Sequence, residues 1–340
     1  MRFLLYFFRF LFIIAAIVSM ESCKDILIEA RKDITIENAL KLKSYSGILS
    51  EKIGENLIRS EVKWQKPNQY FAKVTSKGNL SGTIVSQNGA NLKIYYPSTK
   101  FGVEFLNLNL LNEEQTKNLY EEIYNWTVKK FEVELGDTEN QLAGKKTVEL
   151  LYRPKENHDF FFKWRTWVYD EYSFPIKTEI INPNGSDSYS YEFDSISFND
   201  SIQSEKFKFE FPNRSVIATW NFSSKNYPLD SAQKVVNFKI RTPEYTKGLE
   251  LVKVIKLDSQ VPGIMMLYQK GPYILGISQM KDYGIPLFPI KKGIRLNGKK
   301  ELDLHFLGTI SAIHFLSNGV HYYLVSNLPY QELASVADSI

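Results

Sequence analysis

A chain of 340 residues with 42 Lys and Arg against 38 Asp and Glu carries a formal charge of +4, its basic residues interspersed with acids rather than gathered into a stripe, which argues against a nucleic-acid partner. The single cysteine excludes a disulfide and a thiolate metal cluster, so the core alone must hold the fold. With 23 Phe and 20 Tyr, and with Gly and Pro punctuating short alternating runs, the composition favours sheet over helix, and the length suggests about two domains.

The chain opens with Arg2 and Arg9, an apolar run from Phe10 to Val18, and then Ser19-Met20-Glu21-Ser22-Cys23 before turning polar at Lys24-Asp25. This is the layout of a secretory signal, and Arg9 interrupts it well short of the roughly 20 apolar residues that a membrane span needs. Residues 1–22 therefore read as a signal peptide and 23–39 as an N-terminal tether.

From Tyr45 onward, strands are predicted over 58–64, 70–75, 82–86 and 92–96, with a tight hairpin turn at Asn88-Gly89. Asn112 and Gln115 form a capping pattern ahead of Leu119, Ile123 and Trp126, which predicts one amphipathic helix against the sheet. Strands resume over 146–152, 160–163, 166–169, 176–181 and 188–193, the last two joined through Asn182-Pro183-Asn184-Gly185. Phe207, Phe209 and Phe211 alternate with Lys208 and Glu210 as a closing strand.

The polar stretch 213–230, broken by Pro228, is expected to be a linker between a domain at 40–212 and a smaller one at 231–340. In the second, hairpins are predicted around Gln269-Lys270-Gly271-Pro272 and Asn318-Gly319. Leu333, Val336, Ala337 and Ile340 recur at helical spacing after Pro329, so a terminal helix should bury one side on the second sheet.

Four stretches carry a family resemblance: Trp64-Gln65-Lys66-Pro67-Asn68-Gln69-Tyr70-Phe71, Ser86 to Pro97, Val168 to Lys177 with Asn182 to Gly185, and Phe207 to Pro212. In order and spacing they resemble the outer-membrane lipoprotein carriers (LolA- and LolB-like) over residues 40–212. Phe238 to Tyr245, Phe315 to Leu324 and the terminal helix resemble the C-terminal domain of two-domain envelope regulators (RseB- and MucB-like) and of sporulation-associated lipoproteins. The segment ending at Cys23 resembles a bacterial lipoprotein signal, although Met20, Glu21 and Ser22 stand where that pattern has Leu and small residues.

The resemblance implies a mainly β (α+β) fold: a curved antiparallel sheet forming an unclosed barrel, helices across its concave face, and a small C-terminal α+β domain. It implies diacylation of Cys23 as the membrane anchor, and an apolar cavity for acyl lipid or a lipoprotein's acyl chains, with Lys66 as the basic residue at the cavity mouth. The alternative is a two-domain sensor or regulator that binds an envelope protein partner, its cavity vestigial or used only for sensing, and the expected location is a bacterial cell envelope, facing the periplasm or on the outer membrane. An ordinary cleaved signal, or an uncleaved anchor, stays open beside lipidation.

The residues themselves offer no catalytic site, cofactor or metal. Of His158, His305, His314 and His321, the last two should share one sheet face across the Asn318-Gly319 turn, with Leu316 facing His321 and His314 facing Tyr323, and no third ligand at a recognisable spacing. That face is expected to be a polar outer one, opposite Ile313, Phe315, Tyr322 and Leu324. Ala143-Gly144-Lys145-Lys146-Thr147 lacks the first glycine of a phosphate loop, and Gly276 to Met280 lacks the second glycine of a nucleophile elbow.

Overall fold

Twenty strands dominate the computed structural model, which describes residues 38, 41–53, 56–78, 80–107, 131–155, 163–181, 189–258, 262–270, 273–282, 294–297, 301–307, 310–326, 328 and 330–340. The expected helix at 112–126 and the Asn182 to Gly185 turn lie outside the described residues.

Strands β1 (Ser44–Ile53), β2 (Asn56–Gln65), β3 (Gln69–Val74), β4 (Ile84–Asn88), β5 (Asn91–Tyr96) and β6 (Phe101–Leu106) form an antiparallel meander. A second run, β7 (Phe131–Leu135), β8 (Asn140–Leu142), β9 (Lys145–Pro154), β10 (Lys163–Tyr169), β11 (Phe174–Ile181) and β12 (Tyr189–Phe198), returns to lay β12 antiparallel against β1. The result is one large, curved, unclosed sheet, as expected.

The β4–β5 hairpin closes one residue later than expected. Asn88 pairs with Asn91, and only Gly89 of the two central residues Gly89-Ala90 has positive φ (61°), so a glycine-first turn replaces one centred on Asn88-Gly89.

Two further expectations are corrected. Residues 213–230 are no plain linker, because they hold β13 (Val216–Asn226), whose Ala218, Trp220 and Phe222 are buried at alternate positions. Its first half runs parallel to β6 and its second half pairs antiparallel with β14 (Glu250–Leu257), so one strand belongs to both sheets.

The Phe207 to Phe211 segment, in turn, joins no ladder. It leaves a 3-10 turn (Ser204–Phe207) and crosses the outer face of β4, β5 and β6 as a strap. Ser86 Oγ donates to the Phe207 carbonyl (2.5 Å), and Lys93 Nζ donates to the Phe209 carbonyl (3.1 Å) and pairs with Glu210 (3.1 Å). Phe209 and Phe211 pack on Tyr95, and Phe211 lies where a side chain at Gly102 would stand. Its alternation mimics a strand because each Phe faces the protein, yet the carbonyls of Phe207 and Phe209 are taken by side chains.

Beyond β13 the second sheet runs β14, β15 (Gly263–Lys270), β16 (Tyr273–Lys281), β20 (Val320–Ser326), β19 (Ile310–Ser317), β18 (Glu301–Leu307) and β17 (Ile294–Asn297). The Asn318-Gly319 turn has both residues at positive φ (51° and 69°), and Leu316 faces His321 as expected. Beyond the short helix α1 (Leu229–Gln233), the terminal helix α2 (Tyr330–Asp338) seals one face of this sheet, with Leu333, Val336 and Ala337 fully buried against Ile277, Phe315, Tyr322 and Leu324.

Burial pushes the Tyr268 hydroxyl in this core up to about 12, and raises Tyr273 and Tyr323 as well. An unfolded tyrosine ionises near pH 10. Below that pH the stabilisation from keeping Tyr268 neutral is fully present; between pH 10 and about 12 the unfolded state sheds the proton first and stability falls. Chemical denaturation midpoints should therefore decline over this window, and Tyr268→Phe should flatten the decline; an unchanged slope in that variant would refute the assignment.

Candidate functional site

The strand alternation assembles one inward face from short, non-consecutive pieces of sequence. Ile196, Gly47, Val62, Ala72, Val85, Ile94, Val103 and Ala218 are successive ladder partners on eight adjacent strands, making a single apolar row across the sheet. All of its side chains are buried. Phe105 and Trp220 stand together one step along the strands, and Phe222 pairs with Leu257, so the face continues onto the second sheet through Ile255, Met265 and Met280.

The end of this face nearest the start of β1 is aromatic. Tyr45 stacks on Trp64 (ring centroids 5.5 Å apart) and meets Phe174 (5.1 Å) and Phe193 (5.9 Å), while Phe174 also touches Phe198 (5.2 Å). These rings pack on one another. Lys66 lies two residues beyond Trp64 of the Tyr45–Trp64 pair, its backbone N–H donating to the Lys43 carbonyl (2.9 Å). Partial burial and the neighbouring Lys43 charge hold its ammonium below the usual lysine range. Cys23 and His158 lie outside the described residues, and no helix among those described is long and apolar enough to cross a membrane.

The sequence reading missed a polar lane on the same inward face. Glu51, Ser60, Thr166 and Thr178 are buried at positions that their strands turn inward. The signal was available at Glu51, since Tyr45, Gly47, Leu49 and Glu51 follow one another on a single face of β1.

His314 and His321 fall where expected, His314 opposite Tyr323, with His314 Nε2 and His321 Nδ1 3.0 Å apart. Rings inclined by only 24° with centroids 5.2 Å apart meet nearly head-on, the geometry of an N–H···N bond. His321 Nε2 reaches Asp282 Oδ1 at 3.2 Å. Their face is not the outer polar surface anticipated, because Met280 pairs with His321 on it and Tyr323 packs against the inner cluster. Among the described residues, no three His, Cys, Asp or Glu side chains form a group able to hold a metal. His305 lies on β18.

The two discarded motifs have plain structural roles. Ala143 and Gly144, both at positive φ, make the β8–β9 turn, and Gly276 to Met280 lies within β16. On the outer face, Arg165 with Glu179 (2.7 Å) and Lys177 with Glu192 (3.4 Å) form a charged network beside Trp167.

No protein-family model matches the chain. It is 26% identical over 291 residues to an uncharacterized protein, MJ0687, of Methanocaldococcus jannaschii, covering 82% of this chain and 80% of that one. Among solved structures it is similar to MucB in complex with MucA(peri) (TM-score 0.49, 11% identity, 89% of this chain and 96% of that one). It is also similar to the LolA superfamily protein NE2245 of Nitrosomonas europaea (TM-score 0.25, 11% identity, 51% and 95%). Both kinds of protein that the sequence motifs resemble are thus found among its structural neighbours.

Proposed function

We propose that this chain is a non-enzymatic binding protein of the cell envelope, anchored through a lipidated Cys23, whose inward sheet face holds acyl chains of a lipid or lipoprotein. The observation that carries this reading is the unbroken apolar row on eight adjacent strands. Each methylene withdrawn from water onto such a face contributes about 0.8 kcal/mol, so a chain of about ten buried methylenes gains roughly 8 kcal/mol before the cost of association. Residues 40–212 form the binding unit, 23–39 its tether, and 231–340 the second unit, with Lys66 at the mouth.

A second reading, a two-unit sensor for a protein partner in the envelope, is favoured by one feature. The aromatic end is filled by its own rings, and Ile255, Leu257 and Met280 of the second sheet share the first cluster, so a partner would meet both units as one packed body. Mass spectrometry of the protein extracted gently from native membranes separates the two. A diacylated Cys23 with co-purifying acyl lipid is expected; an unmodified Cys23 without lipid would move the reading to the sensor.

A further inference from the structure

The inward face of the second sheet carries a hydrogen-bonded pair of imidazoles. His314 on β19 and His321 on β20 meet through Nε2 and Nδ1 at 3.0 Å, and His321 Nε2 reaches Asp282 Oδ1, just past the end of β16, at 3.2 Å. Tyr323 lies nearly parallel to both rings, its centroid 4.6 Å from His314 and 6.1 Å from His321. Tyr323 also packs against the inner cluster that holds Met280, the ladder partner of His321. The pair thus stands where the second unit meets the first. By register, Asp303 and His305 of β18 fall on the same face, Asp303 opposite His314, and Arg295 of β17 stands opposite Asp303.

The four ring nitrogens set a proton count. An N–H on His321 Nε2 serves Asp282, so His321 Nδ1 is an acceptor and His314 Nε2 carries the proton between the rings. A third proton enters at His314 Nδ1, on the far side of that ring from His321, and breaks neither bond. A fourth has only His321 Nδ1 left. There it would set two N–H groups head to head across 3.0 Å and bring two imidazolium charges into contact. On the opposite face Ile313, Phe315, Tyr322 and Leu324 are buried beneath α2, and none of them changes charge in the acid range.

We propose that the His314–His321 pair is an acid-sensitive latch between the two units. It keeps its hydrogen bond through the third proton and parts on the fourth, which removes the platform under Tyr323 and loosens the inner contact while the α2 face keeps the second sheet folded. Unfolded histidines both charge below about pH 6.5, so the unfolded chain then binds one proton more than the chain with its latch closed. Stability therefore falls with pH, and the unfolding constant should rise about tenfold over the unit between about pH 6 and 5.

Urea unfolding of the mature chain across that unit is the test. His314→Phe keeps a ring against Tyr323 and lets His321 take its proton beside Asp282, so its unfolding constant should rise less than about threefold. The other histidines are common to both proteins and cancel. An equal tenfold rise in the two would overturn the latch. Long-range 1H–15N spectra of the unmodified, histidine-labelled chain give an answer even where the variant does not fold. One ring nitrogen of the pair should stay without a proton down to about pH 5, whereas full protonation of both rings together near about pH 6.5 would contradict the proposal. Methionine-methyl spectra then read the parting itself: below about pH 5 the signals of Met265 and Met280, on the inner face, should move while that of Met266, in the cluster under α2, stays. Loss of all three signals at once would mean global unfolding and refute a local latch.

Discussion

Phe174→Ala should lower the free energy of unfolding by about 3–5 kcal/mol, the range for emptying a fully buried aromatic site. Phe174 is 0% exposed and contacts Tyr45, Phe193 and Phe198 at centroid separations of 5.1–5.6 Å. These neighbours sit on β1 and β12, two strands held to each other and to further strands by their own ladders, so the cavity closes poorly. Urea unfolding followed by tryptophan fluorescence should show an earlier midpoint with little change in slope. Leu316→Ala, at a side chain 53% exposed, should stay within about 0.5 kcal/mol and serves as the control. A loss at Phe174 no larger than at Leu316 would mean that the aromatic end is loosely packed.

Gly47→Ala should be comparably damaging although it adds a single methyl. A Cβ there would stand 2.1 Å from the Ser195 carbonyl oxygen on β12 and 3.1 Å from the Ile196 Cα. Both are backbone atoms of the neighbouring strand, so relief requires moving β12 away from β1 beside the irregularity at Ile48/Leu49. Overpacking of this kind typically costs about 1–3 kcal/mol, and more where the obstacle is main chain. Gly276→Ala on β16 is the counterpart: its Cβ would meet nothing closer than the Val325 carbonyl at 3.9 Å, and that variant should be neutral or stabilised by up to about 1 kcal/mol. Parallel melting curves decide, and equal midpoints for the two variants would contradict the close approach of β1 and β12.

What was legible in the sequence followed from local chemistry. The Asn318-Gly319 turn, the register that brings His314 to Tyr323, and the buried stripe of the terminal helix each depend on a few neighbouring residues. What was missed depended on distant ones. The Phe207 to Phe211 strap has the period of a strand, and only Ser86 and Lys93, more than a hundred positions earlier, reveal that its carbonyls are taken by side chains. The polar lane was equally hidden, since Thr166, Thr178 and Glu51 become neighbours only when β12 returns to β1. Likewise the face that bears the histidine pair looked outward until β13 joined the two sheets edge to edge.

That shared strand restricts how the gene can change. Because successive side chains of a strand point to opposite sides, inserting or deleting a single residue between Val216 and Asn226 would turn Trp220 or Phe222 away from the interior. It would also put β14 out of step with the half of β13 that remains paired to β6. Single-residue length variation should therefore be far rarer here than in the exposed turn at Asn318-Gly319, although both stretches connect strands.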